Sequence, residues 1–123
     1  MDTELVELRS YYASPGFILL AHDDLAGGDA RPGGCVGVRA LAPAVCELRR
    51  LFVRPAARGR GLGRRLLENA TEQARLNGVS RLVLTTLPTM TEAGSLYAAD
   101  GYDPIEPYVS KPVEGVQYLG RNL

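Results

Sequence analysis

Residues 53–78 read VRPAARGRGLGRRLLENATEQARLNG. Gly59, Gly61 and Gly63 alternate with Arg60 and Leu62 and run directly into an amphipathic stretch. Leu62, Leu66, Ala70 and Ala74 recur at helical spacing and Gly78 stands where a helix stops, so the pattern predicts a helix from Gly61 or Leu62 to about Asn77. The preceding ELRRLFV, residues 47–53, reads as a strand. Strand, glycine loop and helix in that order aim consecutive loop amides at one point, and the helix dipole adds partial positive charge there. The glycines open unusual φ values and let a bulky anion approach the backbone. Arg58, Arg60 and Arg64 supply fork-shaped, charge-assisted hydrogen bonds. The junction therefore reads as a phosphate site.

Two common phosphate sites are excluded by spacing. A P-loop needs G-x-x-x-x-G-K-[ST], and this stretch has neither the lysine nor the hydroxyl residue. A dinucleotide fingerprint needs G-x-G-x-x-G, but counting from Gly59 and Gly61 the third place is Arg64, and the strand RLVLTT stands where the distal acid belongs.

The rest of the chain sets bounds. At 123 residues, 46% hydrophobic and 23% charged, it has the size and composition of one soluble globular domain, residues 1–123. The longest apolar run, near FILLA, is far short of the ~20 residues that span a bilayer. The acidic, helix-patterned start MDTELVELRS does not read as a signal peptide, so a cytoplasmic location without membrane association is expected. Net charge is zero, yet seven of the 14 basic residues (Arg49, Arg50, Arg54, Arg58, Arg60, Arg64, Arg65) fall in one stretch without an acid. Overall neutrality argues against nucleic-acid coating, and the local cluster argues for one anionic ligand rather than only a solvated basic surface. An RNA-binding loop would interleave aromatics with its arginines, and between Leu48 and Asn69 only Phe52 is aromatic. Cys35 and Cys46 lie on neighbouring strand-like runs but out of register, Cys46 opposite Ala40 and Cys35 opposite Leu51, so reduced thiols are expected and no metal site.

Along the chain, residues 3–13 predict a helix, FILLAHDD a buried strand, and DLAGGDARPGG a turn-rich loop. GCVGVRAL and VCELRRLFV predict a hairpin around Ala42-Pro43-Ala44. RLVLTT follows the central helix as a strand, and Thr89 with Glu92 suggests a capped helix through Asp100. YDPIEPYV and GVQYLGRNL complete the series as strands. This order predicts a mixed α/β layer fold. In VCELRRLFV, Cys46 and Leu48 share one parity while Leu51 and Val53 share the other. A β-bulge produces such a slip, as does a strand apolar on both faces, and the pattern alone leaves both open.

Arg58 to Gly63 has the form R-x-x-G-x-G, and further on stands EAGSLYAADGY, residues 92–102. Together, and in this order, these segments resemble the GNAT superfamily of N-acetyltransferases, whose pyrophosphate loop is [QR]-x-x-G-x-[GA] and whose later segment is A-x-x-L-Y-x-x-x-G-[FY]. The resemblance covers roughly residues 17–122 and implies an acyl-CoA N-acyltransferase fold with a mixed, mostly antiparallel sheet splayed at the cofactor. It implies acetyl-CoA as co-substrate, with no metal, and acetyl transfer by direct attack of a primary amine of a small molecule or peptide in a ternary complex. In such a site the backbone of Leu51, Phe52 and Val53 would pair with pantetheine, and the amides of Arg58, Gly59, Arg60, Gly61, Leu62, Gly63 and Arg64 would hold the pyrophosphate.

By the same resemblance Tyr97 is placed to protonate the departing thiolate, the other reading being a packing tyrosine. Glu47 is the leading candidate for the base, against an exposed glutamate paired with Arg39 or Arg49. His22 beside Asp23 and Asp24 reads as an ordinary loop residue, and Tyr11 and Tyr12 either line the acceptor pocket or cover the core. The loop DLAGGDARPGG and the segment PIEPYVSKPVEG are expected to shape the pocket, where Glu106 or the adjoining Asp103 would attract a cationic amine. Met90 stands where relatives often carry an asparagine. The family's usual first strand and helix are expected to be lacking, which leaves a CoA-binding module with little catalysis as the alternative function. Homodimers are frequent in the family, and pairing through the final strands is one arrangement the resemblance implies.

Overall fold

Apolar alternation at period two and a single strongly amphipathic run shape the molecule, described here from a computed structural model over residues 12–21 and 33–123. In chain order the elements are β1 (Phe17–Ala21), β2 (Gly34–Ala42), β3 (Val45–Val53), a 3₁₀ turn at Pro55–Ala57, α1 (Leu62–Leu76), β4 (Arg81–Thr86), α2 (Thr91–Ala99), β5 (Asp103–Pro104) and β6 (Gln117–Asn122). The strands make one six-stranded sheet in the order β1-β2-β3-β4-β6-β5. All neighbours are antiparallel except β3 and β4, which α1 joins as the long crossover that parallel strands require. The expected mixed α/β layering and mostly antiparallel sheet are what the chain forms.

α1 lays Leu62, Leu66, Leu67, Ala70 and Ala74 against Val36, Val38, Cys46, Leu48, Leu82 and Leu84 of the sheet. Its end follows the glycine rule: Gly78 sits at φ +82, and the amides of Asn77 and Val79 both return to the carbonyl of Ala74. Alternation then leaves Val45, Glu47, Arg81 and Val83 on the opposite face of β3 and β4.

The parity slip in VCELRRLFV is a bulge. Cys35 pairs with Phe52 but Gly37 pairs with Arg49, so β3 carries one residue more than β2 between these points. Arg50 takes up the excess at φ +54, a left-handed conformation that costs a non-glycine residue roughly 1–2 kcal/mol. The two cysteines are unpaired: Cys46 lies opposite Ala40 as expected, and the bulge puts Cys35 opposite Phe52 rather than Leu51.

Several expectations need correction. FILLAHDD is not a buried strand, because β1 is the sheet's edge and leaves Ile18 and Leu20 exposed on one face. Thr89 does not cap α2; the Leu87 carbonyl accepts from the Met90 amide, and this turn delays the helix until Thr91 with Met90 at its cap. YDPIEPYV shrinks to the two-residue β5, since Pro104 and Pro107 cannot donate to a ladder. The helix expected at 3–13 lies, apart from Tyr12 and Ala13, outside the described residues, as do Tyr11, His22 and most of the loop DLAGGDARPGG.

Candidate functional site

β3 and β4 pair through only three positions, Val45–Arg81, Cys46–Leu82 and Glu47–Val83. β4 continues to Thr86 bonded to β6, while β3 passes through its bulge and continues to Val53 against β2 alone. Past Glu47, the two parallel strands therefore splay. The Arg54 amide donates to Gly33 across the β2 side, so strand alternation turns the backbone groups of Leu51 and Val53 toward the open edge. Phe52 is turned toward β2, which narrows the expected trio to Leu51 and Val53. Arg58 donates its Nε to the Val53 carbonyl at 2.9 Å and lies over the Phe52 ring, showing a carbonyl on that edge available to a donor.

At the far end of the splay stands the N-terminus of α1. Gly61 caps it at φ +73 with no side-chain hydrogen bond, and no acid occupies the first turn. The first-turn amides at Leu62, Gly63 and Arg64 accordingly have no partner inside the helix. Gly59, at φ +83, and Gly61 use the left-handed freedom expected of them, and a Cβ at either would meet nothing within 4 Å. Gly63 is different: it is helical, and a Cβ there would make only ordinary contact with Leu96 of α2 and Val53 of β3, so neither φ nor packing demands a glycine. Arg64 is ion-paired at 3.0 Å with Glu68, but both ends are exposed and such a pair is worth only ~0.3–0.5 kcal/mol. An anion at the helix start can draw it away at little cost. The open amides, the left-handed glycines and a strand edge that no neighbouring strand pairs fit a long ligand with a phosphate at one end and hydrogen-bonding amides along its length.

Glu47 lies at the other end of the splay, on the sheet face away from α1. It is buried, not exposed, and it pairs with both arginines proposed as its partners: Arg49 Nη1 donates to Oε1 at 3.1 Å and Arg39 Nε stands 3.6 Å away. Its second oxygen accepts the hydroxyl of Tyr108, which stacks edge-on against Tyr118. Burial, then the hydrogen bond to Glu47 and its charge, raise the pKa of Tyr108. Tyr108 was not legible as a site residue, being 61 positions from Glu47 in a proline-rich segment.

Beside this cluster an open cleft of about 860 Å³ is walled by Leu41, Val45, Val83 and Ile105, with Arg81, Glu106 and Tyr108 as its polar residues. Of the two acids expected near an acceptor amine, Glu106 reaches the cleft and Asp103 does not line it. Tyr12 is buried with its ring against Gly37, where a Cβ would stand 2.6 Å from the ring, and since Gly37 pairs with Arg49 it lies on the sheet face that carries Glu47 rather than in the core under α1.

Tyr97, on α2, belongs to the helix-side core and packs edge-on against Tyr102 at 5.7 Å between ring centres. Glu47 and Tyr97 thus approach from opposite faces of the sheet. Burial raises the pKa of the Tyr97 phenol, so it stays protonated at neutral pH. The Tyr102 hydroxyl is buried without a hydrogen-bond partner among the described residues, and burial, followed by the Asp100 charge, raises its pKa as well.

A model of the acetyltransferase (GNAT) family matches residues 2–102. An uncharacterised N-acetyltransferase of Schizosaccharomyces pombe is 37% identical over 121 residues, which cover 97% of this chain and 72% of that protein. Another, YjgM of Escherichia coli, is 33% identical over 108 residues, or 85% of this chain and 62% of that protein. Among solved structures, a GNAT-family acetyltransferase from Staphylococcus aureus superposes with a TM-score of 0.80 at 20% identity, covering 99% of this chain and 80% of that one. A Bacillus subtilis acetyltransferase in complex with CoA gives 0.73 at 17% identity, covering 98% and 86%.

Tyr102 supplies a test of this packing. Above pH 10 the unfolded chain releases the phenolic proton while the folded chain keeps it, so stability is full below pH 10 and falls as pH rises beyond it. Tyr102→Phe also removes a desolvated, unpaired hydroxyl. Thermal melts from pH 7 to 11 are expected to show this variant at least as stable as the wild type at pH 7, with a shallower decline above pH 10. A loss of more than about 1 kcal/mol at pH 7 would mean the hydroxyl has a partner.

Proposed function

The chain belongs to the GNAT acetyltransferase family, and from that premise we propose that it transfers an acetyl group from acetyl-CoA to a primary amine by direct attack in a ternary complex. The observation that carries this reading is the splay beyond Glu47, which ends at the uncapped start of α1. The Leu51 and Val53 backbone would hold the pantetheine amides, with Arg58 releasing the Val53 carbonyl. The loop from Arg58 to Arg64 would hold the pyrophosphate, with Arg60 and Arg64 adding charge. Bound there, acetyl-CoA supplies an activated thioester.

The remaining chemistry falls to the chain's own side chains. The attacking amine must lose a proton, but both oxygens of Glu47 are engaged, one by Arg49 and one by Tyr108. A substrate amine therefore reaches the carboxylate through the Tyr108 hydroxyl, which receives the amine's proton while passing its own to Glu47. On the other face Tyr97, held protonated by burial, donates to the departing sulfur. The acceptor is an amine of a small molecule or peptide that enters by the cleft beside Tyr108.

Two variants separate binding from chemistry. Gly61→Asp takes a left-handed φ that costs it about 1–2 kcal/mol but its Cβ meets nothing within 4 Å, so melting curves should show a folded protein whose added carboxylate meets the phosphate. Isothermal titration is expected to give a Kd for acetyl-CoA in the micromolar range, about −8 kcal/mol at 1 μM, and at least about tenfold weaker binding for the variant. Unchanged affinity would place the phosphate elsewhere. Tyr97→Phe should lower kcat by about 10²-fold or more, the usual worth of a positioned acid, with the Kd for acetyl-CoA nearly unchanged. An unchanged rate would remove Tyr97 from the chemistry.

A further inference from the structure

The cleft beside Tyr108 holds a guanidinium with no use in the reaction described above. Arg81 is half-buried, and among the described residues no carboxylate lies within ion-pair distance and no hydrogen bond engages its side chain. Its Nη2 lies over Gly120, where a Cβ would come within 3.3 Å of it, and the Ile105 side chain stands equally close to that point. The bare backbone of Gly120 thus gives the guanidinium a flat seat against Ile105, and any side chain at that position would have to displace one of them. Apolar walls surround the group on the cleft side, while the only acid in the cleft, Glu106, is exposed. Low-dielectric walls with one uncompensated positive charge favour an anion in the cleft.

Resting on the acetyltransferase reading, we propose that the acceptor is an amine that also carries a carboxylate, and that Arg81 holds the carboxylate while the amine faces Tyr108 and Glu47. Register sets the spacing. Glu47 pairs with Val83, and Val83 pairs with Gly120, so the carboxylate of Glu47 and the seat of the guanidinium lie two strands apart at one level. Two strand spacings are about 9–10 Å. An amine and a carboxylate carried on one short chain can therefore be held on the same face of the sheet, one at Tyr108 and the other at Arg81. A planar carboxylate also suits the two-pronged guanidinium better than a point charge would.

The test compares 5-aminopentanoate with pentylamine, which differ by the carboxylate. Wild-type protein is expected to show a KM at least tenfold lower for 5-aminopentanoate, and the ratio of the two KM values should fall to about one in Arg81→Met. Melting curves establish that the variant folds, and Arg81→Gln gives the same readout if the methionine variant does not. Turnover of both amines with equal KM values in the wild type, or a preference that survives the loss of Arg81, would overturn the carboxylate assignment alone. No turnover of either amine, by a folded protein that binds acetyl-CoA, would overturn the transferase reading together with it.

Discussion

A parallel strand pair that stops after three residues takes the backbone groups of its two facing edges out of the ladder, and groups of that kind call for another partner, as Arg58 already is for the Val53 carbonyl. The stop is built into β3. Its bulge at Arg50 adds a residue, kinks the strand and turns its far half away from β4, at a local cost that β2 pairing and α1 packing must offset. The residues proposed for the reaction are arranged about that divergence. Glu47 marks the last closed rung, α1 begins where the diverging strand ends, and Tyr97 and Tyr108 approach the opening from opposite faces of the sheet.

The electrostatics follow the same geometry. One face of the central strands gathers Arg39 and Arg49 around the buried carboxylate of Glu47, which is held in place by ion pairing and hydrogen bonds rather than exposed as a free base. The other end of the splay is positive for a different reason, the unpartnered amides of a helix start with no acid in its first turn. The arginine cluster is less uniform than its sequence suggests: Arg49 serves Glu47, Arg58 folds onto β3, and Arg64 is lightly held by Glu68.

Much of this was legible in the sequence because it is local. The glycine spacing, the α1 periodicity, Gly78 as its stop and the parity slip each rest on residues within a few positions of one another, and each has its counterpart in the fold. The parts missed depend on distance or on competing turns. Tyr108 and Arg81 acquire their roles only when the sheet brings residues 47, 81, 108 and 120 together. Thr89 has the right residue type for a cap, but the turn closed by Leu87 and Met90 uses that stretch first. Gly63 looks like its two neighbouring glycines in the motif, yet only the fold reveals that it is helical and that a Cβ there would fit in ordinary contact with Leu96 and Val53.

The central claim is that the splayed edge of β3 and the start of α1 form one continuous binding surface for acetyl-CoA. Backbone ¹H–¹⁵N NMR during titration with acetyl-CoA tests it most directly. The account predicts that the largest amide shifts fall on Leu51, Val53 and residues 58–64, all saturating together, while amides of β1 and β5 stay in place. Saturable binding that leaves Leu51 and Val53 unmoved would contradict it.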